Sequence, residues 1–297
     1  MATEKTDLTP SPIVSVEQLQ ARMKAGPVRL IDASWHLPTA GRDGYAEYQE
    51  ARLPGAVFFD IDKASDPEAS LPHMAPSAAL FAAYVGGLGI AADDDVVIYD
   101  AVGVFSAPRV WWTFRLFGHE RVAILNGGLP AWRAAGGTVE SGPPPSPAPV
   151  SYEPAGETKI IANADDVAAA AASGGLVLDA RPAARFRGEA PEPRPGLRSG
   201  HIPGSVSLPF TELLAEGLLR PEPELRARFE AAGAPIDAPG PILTSCGSGV
   251  SAAVLTIALN ALGRRDVQIY DGSWAEWGGD LQRPVATATD ENDPGAP

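Results

Sequence analysis

Cys246 is the only cysteine in this chain of 297 residues, and it sits in the run Pro-Ile-Leu-Thr-Ser-Cys-Gly-Ser-Gly-Val-Ser-Ala-Ala-Val, residues 241–254. A short apolar stretch leads into the cysteine, a glycine-bearing turn follows, and an apolar helical pattern begins at Val250. A strand ending in a tight loop at a helix N-terminus is where α/β proteins bind anions and do chemistry. A helix N-terminus carries roughly half a positive charge and several unpaired N–H groups. Gly247 and Gly249 let the backbone curl so that those groups converge on one point. A free thiol has a pKa of about 8.5 and is only a few per cent thiolate at neutral pH. A sulfur at this address is therefore expected to be a thiolate nucleophile that needs no metal. The alternative, a buried cysteine serving as a small apolar residue, is common but does not explain the strand–Cys–glycine loop–helix order.

Three other chemistries share parts of the run and fail on it. Gly247-Ser-Gly249-Val-Ser-Ala252 fits a dinucleotide fingerprint, but only one further strand, near Val267–Tyr270, follows it. A phosphate-cradling nucleotide loop needs a lysine that is missing here. A cysteine phosphatase needs an arginine six residues after the cysteine, where Ala252 stands.

The elements that must position Cys246 are written twice. Displacing the chain by 145 residues aligns seven identities, among them Ser106 with Ser251, Gly118 with Gly263, Ile124 with Ile269 and Trp132 with Trp277. Asp32-Ala33 likewise answers Asp179-Ala180, and Pro54-Gly55 answers Pro203-Gly204. In the first half, strands are expected near Val28–Asp32, Ala56–Phe59, Val96–Tyr99 and Val122–Leu125, with helices near Ser77–Gly86 and Ser106–Phe117. In the second, strands are expected near Leu176–Asp179, Ser205–Leu208, Pro241–Ser245 and Val267–Tyr270, with helices near Asn163–Ala172, Glu222–Ala232 and Val250–Leu262. This alternation implies an α/β fold of two tandem domains, each a mostly parallel sheet with helices on both faces. The domains are expected at residues 11–140 and 159–284. A proline-rich linker joins them at 141–158, and an acidic, loose tail follows at 285–297. On the same displacement Cys246 falls opposite Ala101, so the first domain keeps the scaffold and lacks the nucleophile.

Composition bounds the function. The net charge is −14, which argues against nucleic acid and anionic membrane as partners. A single cysteine excludes an intramolecular disulfide framework and thiolate metal sites, and fits a reducing, cytoplasmic setting. The four histidines show no metal-ligand spacing. The N-terminus has neither a basic start nor an apolar core, so no signal peptide is expected, and no run is long enough to span a bilayer. No cofactor is expected.

Two tandem α/β domains with one cysteine in the second resemble the rhodanese-type sulfurtransferases, over roughly residues 11–284. The loop Cys-Gly-Ser-Gly-Val-Ser is similar to the Cys-Gly-Ser/Ala-Gly-Val-Thr of the mercaptopyruvate branch, with Ser251 in place of the usual threonine. Thiosulfate-preferring relatives carry basic residues where this chain has Gly247 and Ser248. The resemblance implies that Arg185 and Arg194, in Arg-Phe-Arg-Gly-Glu-Ala-Pro-Glu-Pro-Arg, bind substrate together with Gly247, Gly249, Val250 and Ser251. It also implies that Asp62 in Phe-Phe-Asp-Ile-Asp and His73 in His-Met join Ser248 in a Ser–His–Asp relay across the two domains. The residues taken singly allow plainer roles: Arg185 in a surface ion pair with Glu189 or another acid, Ser248 capping a helix, His73 tied to a local carboxylate. The implied activity is attack of Cys246 on the sulfur of 3-mercaptopyruvate, giving a persulfide and the enolate of pyruvate. The sulfur then passes to a thiol acceptor such as a thioredoxin-like protein or a small dithiol. Guanidinium forks suit the carboxylate and keto oxygens of such a small anionic donor. A thiosulfate:cyanide sulfurtransferase and a non-catalytic sulfur-carrier module are the competing readings.

Overall fold

The computed structural model describes residues 11–288; the N-terminal residues 1–10 and residues 289–297 of the expected tail lie outside it. The first half contains β1 (Ile13–Val14), α1 (Val16–Ala25), β2 (Arg29–Asp32), α2 (Gly44–Glu50), β3 (Val57–Phe58), α3 (Ala78–Gly87), β4 (Val96–Tyr99), α4 (Ala107–Leu116), β5 (Val122–Leu125) and α5 (Gly128–Ala134). The second contains β6 (Ile161–Ala162), α6 (Ala164–Ala172), β7 (Val177–Asp179), α7 (Ala183–Phe186), β8 (Val206–Ser207), β9 (Leu214–Ala215), β10 (Leu218–Leu219), α8 (Glu222–Ala231), β11 (Ile242–Ser245), α9 (Ala252–Ala261), β12 (Val267–Tyr270) and α10 (Ser273–Trp277).

The two sheets have one topology, β1-β5-β4-β2-β3 and β6-β12-β11-β7-β8, parallel throughout. Their inner strands, Val-Val-Ile-Tyr in β4 and Ile-Leu-Thr-Ser in β11, are buried along their whole length, as strands covered on both faces must be. The edge strands β1 and β6 were not expected; at two residues each they show no alternation to read. Helix starts follow local chemistry. Ser15 with Gln18 and Asn163 with Asp166 form reciprocal capping boxes that satisfy the first amides of α1 and α6.

In each sheet the chain leaves the central strand in one direction and its neighbour in the other. β11 leads to β12 on one side, and β7 leads to β8 on the other. The crevice between the carboxyl ends of β7 and β11 is the switch point where such sheets take ligands. Cys246 follows β11 at that point.

Helices α4 and α9 pack against each other across the two halves, and Val110, Trp112, Val254 and Leu255 belong to one apolar cluster spanning both. Every residue of α9 from Ala252 to Leu259 is buried, which is why this helix is apolar on all sides. Trp112 also donates its indole N–H to the Ile160 carbonyl, 3.2 Å away at the start of the second half.

The proline-rich stretch 141–158 is fastened to the first domain at several points. Arg52 donates to the carbonyls of Gly142 and Pro143, Val150 N to Gly86 O, and Thr158 N to Leu116 O. Tyr152 is buried and stacks on His119. The looseness expected from Val285 onward does not apply to residues 285–288. Ala286 is buried and exchanges two backbone hydrogen bonds with His201 (2.9 and 3.0 Å), and Ala288 N donates to Arg187 O.

The two copies differ in how they treat one buried carboxylate. Asp179 is neutralised by Arg181, whose Nη2 lies 2.6 Å from Oδ2. Asp32, its counterpart, has Ser34 two residues on instead; Oδ1 accepts the Ser34 amide at 2.9 Å, and Oδ2 has no hydrogen-bond partner. Burial pushes the Asp32 carboxyl up from 3.8 to about 6. A raised carboxyl costs nothing below the unfolded value, where both states hold the proton. Stability then falls as pH rises through about 6, by about 3 kcal/mol in all. Asp32→Asn is therefore expected to stabilise the protein by about 1–3 kcal/mol at pH 8 and to confer no advantage near pH 4. Urea midpoints at the two pH values check this; an advantage equal at both would show that ionisation is not its cause.

Candidate active site

The loop after β11 wraps Cys246 in backbone. Ser273 Oγ accepts the amides of Cys246 (3.2 Å) and Gly249 (3.1 Å), while Trp274 N and Ala275 N donate to the carbonyls of Cys246 and Gly247. These bonds pin the loop to the start of α10. The amides of Gly247, Ser248, Val250 and Ser251 have no protein acceptor among the described residues, and the four residues line the cavity that holds Cys246. Gly249 departs from the substrate-binding expectation. Its amide is spent on Ser273, it does not line the cavity, and its φ of +77° serves the turn.

The first domain shows what fills such a cradle when no substrate does. Asp100 directly follows the equivalent strand β4 and aligns with Ser245 in the second half. Its Oδ1 accepts the amides of Val102 and Gly103, and its Oδ2 those of Phe105, Ser106 and Ala107, at 2.8–3.0 Å. The chain's own carboxylate thus fills the amide cradle of the first domain. Ser245, at the matching position, is too short to reach across the second cradle in this way.

The cavity measures about 300 Å³ and lies between the domains. Trp35, Leu37, Val102 and Phe105 form its wall on the first-domain side, and Arg185, Arg194, Phe210 and the cysteine loop form the other. Cys246 itself is 1% exposed. Both expected arginines reach it. A Cβ on Gly247 would lie 3.3 Å from Arg185 Nη2 and 3.8 Å from Arg194 Nη1, so the absence of a side chain there lets the guanidinium groups close over the loop.

Arg185 does not pair with Glu189; Arg187 takes that carboxylate at the surface. Arg185 pairs instead through Nε and Nη2 with Glu192, a buried carboxylate that Arg181 Nη1 also holds at 2.8 Å. Arg181 in turn bonds Asp179 and the Gly200 carbonyl and lies over the Trp274 ring, 4.2 Å from its centre. Glu192 was missed in the sequence because the Pro191-Glu192-Pro193 stretch looks like a solvated loop, and Arg181 because nothing local marks it as the partner of a distant carboxylate. Arg194 has no hydrogen-bond or ion-pair partner among the described residues. Burial pulls its guanidinium below the usual range. An unpaired, half-buried cation beside a thiol is a site built for an anion.

The three expected relay residues converge. Ser248 Oγ lies 2.9 Å from His73 Nδ1, and His73 Nε2 lies 3.1 Å from Asp62 Oδ1. The hydrogen bond from His73 holds the Asp62 carboxyl below its usual range, so it is ionised at neutral pH. An ionised carboxylate only accepts, so His73 Nε2 donates to Asp62, and in the neutral ring the Nδ1 lone pair faces the Ser248 hydroxyl. Ser248 does not cap α9, which begins at Ala252. Trp35, which was not foreseen, donates to Asp62 Oδ2 (3.2 Å) and sets its ring edge-on to His73, 4.8 Å between centres. No helix among the described residues is long and apolar enough to cross a membrane, and no group of three or more His, Cys, Asp or Glu there could hold a metal.

Comparison with known proteins agrees with the two-domain fold. The rhodanese-like domain family matches residues 15–135 and again 163–280. The chain is 49% identical over 256 residues to a probable 3-mercaptopyruvate sulfurtransferase of Schizosaccharomyces pombe, covering 84% of this chain and 86% of that protein. It is 42% identical to thiosulfate/3-mercaptopyruvate sulfurtransferase 1, mitochondrial, of Arabidopsis thaliana, covering 93% and 78%. The crystal structure of SseA from Escherichia coli, described as a 3-mercaptopyruvate sulfotransferase, superposes with a TM-score of 0.78 at 39% identity, covering 89% of this chain and 99% of that one.

Proposed function

The chain belongs to the rhodanese-type sulfurtransferases, in their 3-mercaptopyruvate branch, and on that premise we propose that it moves sulfur from 3-mercaptopyruvate through a persulfide on Cys246. The observation that carries this reading is the meeting, at one cavity, of the cysteine loop, an unpaired Arg194 and the Ser248–His73–Asp62 chain. The donor's carboxylate and keto oxygens lie against Arg194, the free Nη1 of Arg185 and the loop amides. Ser248, backed by His73, takes the proton from the donor thiol. The Cys246 thiolate attacks that sulfur; the S–S bond forms as the C–S bond breaks, and its electron pair leaves as the enolate of pyruvate. His73, through Ser248, returns the proton to the enolate carbon. Negative charge grows on the oxo-acid during C–S cleavage, so the arginines bind the transition state more tightly than the ground state. An acceptor thiolate, from a small dithiol or a thioredoxin-like protein, then attacks the outer sulfur and regenerates Cys246. A reducing compartment such as the cytoplasm suits a single thiol that must return to its reduced form each cycle.

Thiosulfate is the second donor to consider, because the Arabidopsis relative carries both donors in its name. The loop residues Gly247 and Ser248 favour mercaptopyruvate, since the sulfite dianion released from thiosulfate would gain from a cation there and would make no use of a proton relay. Steady-state rates of the purified protein with each donor test the choice. A kcat/KM at least about tenfold higher with mercaptopyruvate, with pyruvate and transferred sulfur formed in equal amounts, is expected; a preference for thiosulfate would refute the donor assignment.

A further inference from the structure

The relay spans two domains, so something must set the distance between its halves. Arg109, in the first turn of α4, and Asp271, just after β12, meet across the interface with Nη1 2.7 Å from Oδ1; their side chains are 3% and 2% exposed. Each also holds backbone of the relay. Arg109 Nη2 donates to the His73 carbonyl, and Asp271 Oδ2 accepts the amide of Ala75 at 2.6 Å. The Arg109 fork also faces the Gly249 carbonyl at 3.5 Å, and a Cβ on Gly249 would lie 2.8 Å from Nη1. The pair thus grips the His73 loop on both sides and abuts the cysteine loop. The guanidinium is steadied from behind by the Trp112 ring, 4.4 Å away.

The backbone of His73 explains why such a grip is needed. Its φ is +62°, in the left-handed region that costs a non-glycine residue on the order of 1–2 kcal/mol. Such a conformation persists only where the surroundings over-determine it, and it recurs at functional sites. A buried ion pair is in general a poor source of net stability, because desolvating both charges offsets most of their attraction. It is a good source of fixed geometry.

We infer that Arg109 and Asp271 are positioning residues for sulfur transfer: one from each domain, they hold the His73 main chain at the place where its ring meets Ser248. The inference rests on the relay proposed above, and the experiment separates the two. Arg109→Lys keeps the charge opposite Asp271 but loses the second arm of the fork to the His73 carbonyl. Its kcat with mercaptopyruvate is expected to fall about 10- to 100-fold, at or below the roughly 10²–10⁴ of losing the acid–base group outright, with KM within about twofold because the donor-binding arginines are untouched. His73→Ala is expected to fall at least as far, and the Arg109→Lys/His73→Ala double variant to be no slower than His73→Ala alone. Alkylation of Cys246 by iodoacetamide should remain within about twofold of the parent in all three, since the cysteine loop has its own support in Ser273.

A kcat within twofold of the parent in Arg109→Lys, with His73→Ala slow, would overturn the inference and leave the relay standing. Losses that multiply in the double variant, or a matching fall in alkylation, would show a general structural role and overturn it too. An unchanged His73→Ala would remove the relay, and the inference with it. If Arg109→Lys does not fold, Asp271→Asn, which keeps an acceptor for Ala75, serves in its place with the same expectations; failure of both to fold would make the pair a stability element only.

Discussion

Cys246→Ser is expected to lower sulfur transfer from mercaptopyruvate by on the order of 10⁴ or more while the protein stays folded. The sulfur is 1% exposed, and it is the only thiol in the chain, so no neighbouring cysteine can substitute for it. Serine nearly matches its volume and leaves undisturbed the Ser273 bonds that hold the loop, so the thermal midpoint should move by no more than a few degrees. A hydroxyl at the same address is a far weaker nucleophile toward sulfur and cannot store the transferred atom as a persulfide. The check is intact mass after donor treatment without an acceptor. The parent should gain one sulfur and the variant none, and pyruvate release should stop with it. Residual transfer near the parent rate in a folded variant would end the covalent mechanism.

The cysteine loop was readable because its signals are local. A strand, a thiol, two glycines and a helix lie within fourteen consecutive residues, and a strand–loop–helix with a single loop glycine, Gly103, and no thiol recurs one repeat earlier. The inner strands were readable for the same reason: β4, β5 and β12 have the expected ends, β4 and β5 as continuous buried apolar runs and β12 as a run broken only by Gln268. The relay residues were named through resemblance to a family, and nothing in the spacing of Asp62, His73 and Ser248 predicts that they touch. Arg109 and Asp271 were invisible for a related reason. Each looks like an ordinary charged residue until the packing of α4 on α9 buries both. Glu189 and Glu192 illustrate the limit most sharply. Both lie within a few residues of Arg185, and sequence favours the first. The fold gives Glu189 to Arg187 at the surface and turns Glu192 inward between two guanidinium groups. Asp32 and Asp179, which align in the repeat, differ only in whether an arginine stands two residues on, and that difference decides whether the charge is neutralised.

The contrast between Arg185 and Arg194 gives the second large effect, and it separates binding from architecture. Arg194 has no hydrogen-bond or ion-pair partner among the described residues, so Arg194→Ala removes a cation without orphaning any buried acceptor there. Loss of a charge-assisted contact that tightens as the enolate forms is expected to cost about 10²–10³ in kcat/KM, with kcat falling as well as KM rising. Its thermal midpoint should stay close to the parent's or rise slightly, because an unpaired, half-buried charge is a burden in the absence of ligand. Arg185 is bound through two nitrogens to Glu192, which is buried and shared with Arg181. Arg185→Ala should therefore lose activity comparably and also lose about 1–3 kcal/mol of stability, because Glu192 keeps only one of its two partners. Pairing the change with Glu192→Gln should restore part of that stability and none of the activity, since the substituted carboxylate no longer needs the second cation but the donor still does. Melting curves and steady-state rates on the three variants read both predictions together. Equal destabilisation by Arg194→Ala and Arg185→Ala would mean that Arg194 is a structural residue, and the anion site would then have to be rebuilt around Arg185 and the loop amides alone.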